Sequence, residues 1–107
     1  MLRLPTFEVE SPDTVEGVVA ALQARPGSRV IAGGTDILPN LKHFLDTPPV
    51  LVSLARVTGL RGVVRDGDVL RIGAGAALPQ VAEHPEVQAL FPSLVQSAGQ
   101  VASPVIR

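Results

Sequence analysis

The chain has 107 residues, a net charge of −1 and an apolar fraction of 46%, enough for a small hydrophobic core but not for two comfortable domains. No apolar run approaches the roughly 18 residues of a membrane span, and "MLRLPTFEVE" lacks the sustained hydrophobic stretch of a secretory signal. The absence of cysteine removes disulfides, thiolate metal sites and cysteine nucleophiles and fits a cytoplasmic setting, while nine dispersed Lys and Arg and three aromatics give nucleic acid little to bind.

Phe7 and Val9 alternate as in a strand. The next segment, "SPDTVEGVVAALQARPG", predicts a helix capped by Ser11 or Asp13, with Glu16 in the capping-box position three residues after Asp13. Val15, Val18, Val19 and Leu22 recur at helical spacing and form its expected buried face. Pro26 and Gly27 stop it.

"SRVIAGG" reads as a short apolar strand ending in two glycines. Thr35 or Asp36 can cap a brief helix through "DILPNLKHFL", with Pro39 limiting where its first turn begins. "PPVLVSL" is a further buried strand, and "GVVRDGDVLRIGAGA" gives two strands around the turn Arg65-Asp66-Gly67-Asp68. After Leu78 the period becomes helical, broken at Pro85 and Pro92. In the last helix Leu94, Val95, Ala98, Val101 and Ala102 line one face.

The predicted order is β-α-β-α-β, then a hairpin, then short helices, a fold that passes from α/β to α+β. The boundary between the two halves falls near Val57 to Gly62, which divides the chain into 1–57 and 58–107.

The chemistry concentrates in "AGGTD", residues 32–36. Glycines at the end of a strand leave backbone N–H groups uncovered, and such donors suit an anion, phosphate above all. The alternative is an ordinary tight β-to-α turn, in which Thr35 or the Asp36 carboxylate caps backbone amides. No Gly-Lys-Ser/Thr follows, and "GAGAAL" has Leu78 where the dinucleotide fingerprint needs its third glycine. Gly73 and Gly75 therefore read as sites of strand bending or close packing. His43 and His84 read as solvated surface histidines, and no serine has a Gly-x-Ser-x-Gly frame. No catalytic residue and no metal site is expected, so any redox or transfer chemistry has to come from a cofactor.

Four segments taken together carry a resemblance that the glycine pair alone does not. "VIAGGTDILPNLK", "LVSLARVTGLRGV", "LRIGAGAALPQVAEHPEV" and "FPSLVQSAGQVASPVIR" resemble, in order, the N-terminal part of the FAD-binding subunit of molybdenum hydroxylases of the xanthine dehydrogenase and 4-hydroxybenzoyl-CoA reductase type. The resemblance implies two α/β subdomains with FAD between them, its diphosphate held by glycine-rich loops. The first loop corresponds to Val30, Ile31, Ala32, Gly33, Gly34, Thr35, Asp36 and Ile37, and the segment at Val101 and Ala102 resembles a second approach to the flavin. It also implies an electron relay between iron–sulfur clusters on one partner subunit and an external acceptor or donor, with molybdopterin on another subunit. Residues 1–57 would be the first FAD-binding subdomain and 58–107 the beginning of the second.

In that family the part matching "SPVIR" runs on into a Thr-x-Gly-Gly-Asn loop, whereas this sequence stops at Arg107. The expectation is a piece of a longer flavoprotein subunit, inactive by itself, that holds FAD weakly or not at all and self-associates through uncovered apolar surface. The alternatives are a non-catalytic domain that has lost its flavin and an unrelated phosphate- or nucleotide-binding module.

Overall fold

The computed structural model describes residues 3–101, 103, 105 and 106. It is a mixed α/β chain that divides into two compact units, residues 1–58 and 59–107. The expected alternation of strands and helices is present in the first, and the expected hairpin in the second, where the short helices number three.

In the first unit β1 (Glu8–Glu10), β2 (Arg29–Ile31) and β3 (Val50–Ser53) form a parallel sheet in the order β1-β3-β2. Helix α1 (Val15–Ala24) connects β1 to β2, and α2 (Ile37–Lys42) connects β2 back to β3. These crossovers run in opposite directions along the sheet. With the right-handed connection that parallel sheets favour, the two helices fall on opposite faces. The central strand is then covered on both sides, which explains why Val50, Leu51 and Val52 are almost wholly buried and why β3 is an unbroken apolar run.

The cap and the buried face of α1 both differ from the sequence reading. Thr14 is the N-cap, in extended conformation, and its Oγ1 accepts from the Gly17 amide at 3.0 Å. That arrangement puts Gly17, not Glu16, at the third helical position, so no reciprocal capping box forms. A side chain at Gly17 would meet Pro12 Cβ at 3.0 Å, which accounts for a glycine inside the first turn. The buried residues are Val18 and Ala21, while Val15 and Val19 are 46% and 47% exposed. A short helix on a three-stranded sheet buries a narrow stripe, and here it is centred on the small Ala21, which lets α1 pack against β3.

Helix α2 ends in a tight cap. The Phe44 amide donates to the Leu41 carbonyl at 3.0 Å and the Leu45 amide to the Asn40 carbonyl at 2.9 Å, the pair of bonds that defines a Schellman motif. The residue that turns left-handed there, usually glycine, is Phe44, at φ +53°. Arg29 and Asp46, 3.0 Å apart, tie the loop after this cap to β2.

In the second unit β4 (Val63–Asp66) and β5 (Val69–Ile72) pair antiparallel. Asp66 pairs with Val69, so the two loop residues are Gly67 and Asp68, one position later than an Asp-Gly turn centre requires. Gly67 takes φ +60° at the first loop position, as a type II′ turn demands. Arg65 reaches from the hairpin to Glu86, at 3.2 Å.

Helices α3 (Leu78–Glu83), α4 (Pro85–Leu90) and α5 (Pro92–Gln100) pack on one another around Val81, Val87 and Ala98. Pro85 and Pro92 each open a helix at its first position, where a missing N–H costs nothing. Of the face expected for α5, Ala98 is buried and Leu94 and Val95 are half-buried. Val101 instead ends the helix and is 51% exposed, and Ala102 lies outside the described residues.

Candidate functional site

Beyond Ile31 the backbone leaves β2 and turns through Ala32-Gly33-Gly34-Thr35-Asp36 into α2. This loop sits at the carboxyl end of a parallel strand, where open α/β sheets place their ligands. Beside it the Leu54 amide donates to the Ile31 carbonyl at 3.0 Å, which closes the ladder with β3 at the base of the loop.

A depression of about 200 Å³ opens on the loop, lined by Val30, Ala32, Gly33, Gly34, Thr35, Asp36 and Ile37. Seven of the eight residues expected for the first loop thus share one concavity. Ile31 is the exception, with its Cδ1 on the Gly34 side. The volume is below the range of about 300–1,000 Å³ that encloses a drug-sized ligand, and it suits a group of phosphate size.

The two glycines have different surroundings. Gly34 is buried, takes φ +80°, and would place a Cβ 2.8 Å from Leu38 Cδ1. Its conformation requires glycine, and a side chain there would also have to displace the Leu38 methyl. Gly33 is exposed, lies outside the left-handed region, and would place a Cβ in open space, with nothing within 4 Å. Neither backbone conformation nor packing within the chain requires glycine at position 33.

Among the described residues, no amide from Ala32 to Ile37 donates a hydrogen bond within the chain, and the first donor after the loop is Leu38, to the Gly34 carbonyl at 3.0 Å. The Gly34 N–H is among these donors, and Gly34 lines the depression, so the run of amides is free to meet an acceptor from outside the chain.

The structure decides against the capping role open to Asp36. Asp36 occupies the N-cap position of α2 with right-handed helical backbone angles and makes no side-chain cap. A capping side chain needs extended backbone to bend back over the first turn. The Asp36 carboxylate accepts from Asn40 Nδ2 at 3.5 Å instead, one helical turn on. No cation lines the depression, so an anion there would rest on backbone donors and the Thr35 hydroxyl.

Gly73 belongs to the fold. Its amide donates to the Gly62 carbonyl at 2.9 Å, and a side chain there would overlap the Leu60 carbonyl. The Gly75 amide donates to the same Leu60 carbonyl at 2.7 Å. His43 is an exposed C-cap, but His84 is not a solvated surface group: it is half-buried, and its Nδ1 accepts from the Glu86 amide at 3.2 Å as the N-cap of α4. The Pro85-Glu86 pair directly after it was the available signal for a helix start.

A parallel sheet with a double-glycine loop at its carboxyl edge defines an α/β module with a depression lined by residues of that loop. Residues 5–107 match the family model described as the FAD binding domain in molybdopterin dehydrogenase, and the chain belongs to that family. It is 34% identical over 104 residues to the carbon monoxide dehydrogenase medium chain of Hydrogenophaga pseudoflava, covering 96% of this chain and 36% of the relative. It is 33% identical over 96 residues to the xanthine dehydrogenase FAD-binding subunit of Escherichia coli O157:H7, covering 88% of this chain and 32% of the relative. Among solved structures, a chain of the Hydrogenophaga pseudoflava carbon monoxide dehydrogenase that lacks the Mo-pyranopterin moiety superposes with a TM-score of 0.94, at 32% identity over 98% of this chain and 37% of that one. Quinoline 2-oxidoreductase from Pseudomonas putida 86 gives a TM-score of 0.91 at 29% identity, over 97% and 36% of the two chains. The chain spans about a third of the length of the relatives it matches.

Proposed function

We propose that this chain is the N-terminal part of the FAD-binding subunit of a molybdopterin-dependent oxidoreductase complex, and that residues 30–37 receive the diphosphate of the flavin nucleotide. The carrying observation is the loop itself. An open Gly33 stands in a run of amides without acceptors, at the carboxyl end of a parallel strand. Each amide that meets a phosphate oxygen gains a charge-assisted hydrogen bond. Gly33 lets the oxygens approach the backbone, Gly34 sets the bend, and the Thr35 hydroxyl adds a donor. Val101 and Ala102 enter the same reading as a second backbone approach to the flavin. Residues 1–57 act as the first FAD-binding subdomain and 58–107 as the beginning of the second.

When bound, FAD supplies the redox chemistry, relaying electrons between iron–sulfur clusters of one partner subunit and an external acceptor or donor while a further subunit carries molybdopterin. This chain's residues bind and orient it. Titration of FAD into the longer subunit of which this chain is the proposed N-terminal part, followed by flavin fluorescence and by absorbance in the blue and near ultraviolet, tests the reading. Saturable binding supports it, and the absence of any binding contradicts it.

A further inference from the structure

We propose that Leu38, which does not line the cradle, is its positioning residue: it holds the Gly34 bend from behind and so fixes where the loop amides stand. The inference rests on the flavin reading above for its ligand, and on geometry for the rest. A Cβ at Gly34 would lie 2.8 Å from Leu38 Cδ1, 3.1 Å from Leu38 Cγ and 3.5 Å from Ile31 Cδ1. The two apolar side chains therefore stand against one side of Gly34, and neither lines the depression.

Leu38 holds the same residue twice, because its own amide donates to the Gly34 carbonyl at 3.0 Å. Gly34 at φ +80° has the most permissive backbone of any residue type. Without a side chain against it, such a residue has neighbouring conformations of similar energy. A donor array is useful to a ligand only when its spacing is fixed beforehand. Leu41, three residues on in the same helix, is fully buried and belongs to the core. The helix thus carries one leucine for the loop and one for the fold.

The test compares Leu38→Ala, Leu38→Met and Leu41→Ala, each made in the longer subunit, by FAD affinity, melting temperature and hydrogen exchange at the residue-38 amide without flavin. Leu38→Ala is expected to weaken FAD about tenfold or more and to speed that exchange, because small displacements of positioning groups cost large factors. Leu38→Met, close in volume, is expected to restore affinity to within about threefold. Leu41→Ala is expected to lower the melting temperature more than Leu38→Ala while leaving the affinity of the folded protein within about threefold, and Leu41→Val replaces it if it does not fold. Native-like FAD affinity in Leu38→Ala overturns the proposal. So does an affinity loss that merely follows melting temperature across the set, or a failure of Leu38→Met to rescue. A protein that never binds FAD but shows the faster exchange overturns the flavin reading and leaves the hold on Gly34 standing. Unchanged exchange overturns that hold.

Discussion

Gly33 and Gly34 are chain neighbours with opposite constraints: a Cβ on Gly34 would press against Leu38 Cδ1 at 2.8 Å, and one on Gly33 would touch nothing within 4 Å. Gly34→Ala also forces an L-residue into φ +80°, a conformation costing about 1–2 kcal/mol. A lower melting temperature by several degrees is expected, about 4–8 °C per kcal/mol for a domain of this size. Gly33→Ala should stay within about 0.5 kcal/mol of the native protein. Thermal unfolding of the two variants checks the contrast, and equal losses would contradict it.

Phe44 is a stabilising substitution in waiting. It occupies the left-handed position of the Schellman motif that closes α2, at φ +53°, and is 59% exposed as a residue. Little packing is lost by removing the ring, and the strain is relieved. Phe44→Gly is therefore expected to raise stability by about 1 kcal/mol, net of glycine's greater freedom in the unfolded chain. Chemical denaturation measures this as a higher midpoint at an unchanged slope.

His84→Ala removes the side-chain acceptor from the Glu86 amide at the start of α4, and loss of an N-cap costs about 1 kcal/mol. His84→Asn keeps an acceptor of suitable reach and should recover most of that loss. Equal unfolding curves for His84→Ala and the native protein would show that the cap contributes nothing.

Gly73→Ala should be the more damaging glycine change in the second unit. The atom in the way of its Cβ is the Leu60 backbone carbonyl, which cannot swing aside as a side-chain methyl can. A loss of about 1–3 kcal/mol is expected, as for overpacking elsewhere. Gly59→Ala, with nothing within 4 Å of the added atom, is the matched control.

The alternation of strands and helices was readable in the sequence because Gly and Pro punctuate it and because the buried β3 is a continuous apolar run. The breaks at Pro85 and Pro92 were equally legible, and each proline opens the helix that follows it, being suited to the first helical position. What failed was local side-chain geometry. Several residues around 11–14 and 35–36 can cap, and backbone angles rather than residue type decide which one does: Thr14 is extended and caps, while Asp36 is helical and does not. The periodicity of the α1 valines alone misplaces its buried face, because the stripe is centred on the small Ala21. In the site itself the glycine pair was visible, but the separate constraints on Gly33 and Gly34 depend on Leu38, four residues on in another element.

The most direct test of the account is the FAD affinity of Gly33→Val set beside that of the native protein, with thermal unfolding recorded on both. A loss of about tenfold or more in affinity is expected, with a melting temperature changed by no more than a few degrees, since Gly33 lines the depression and a Cβ there meets nothing within 4 Å. Native affinity for FAD in a folded Gly33→Val protein would contradict the account.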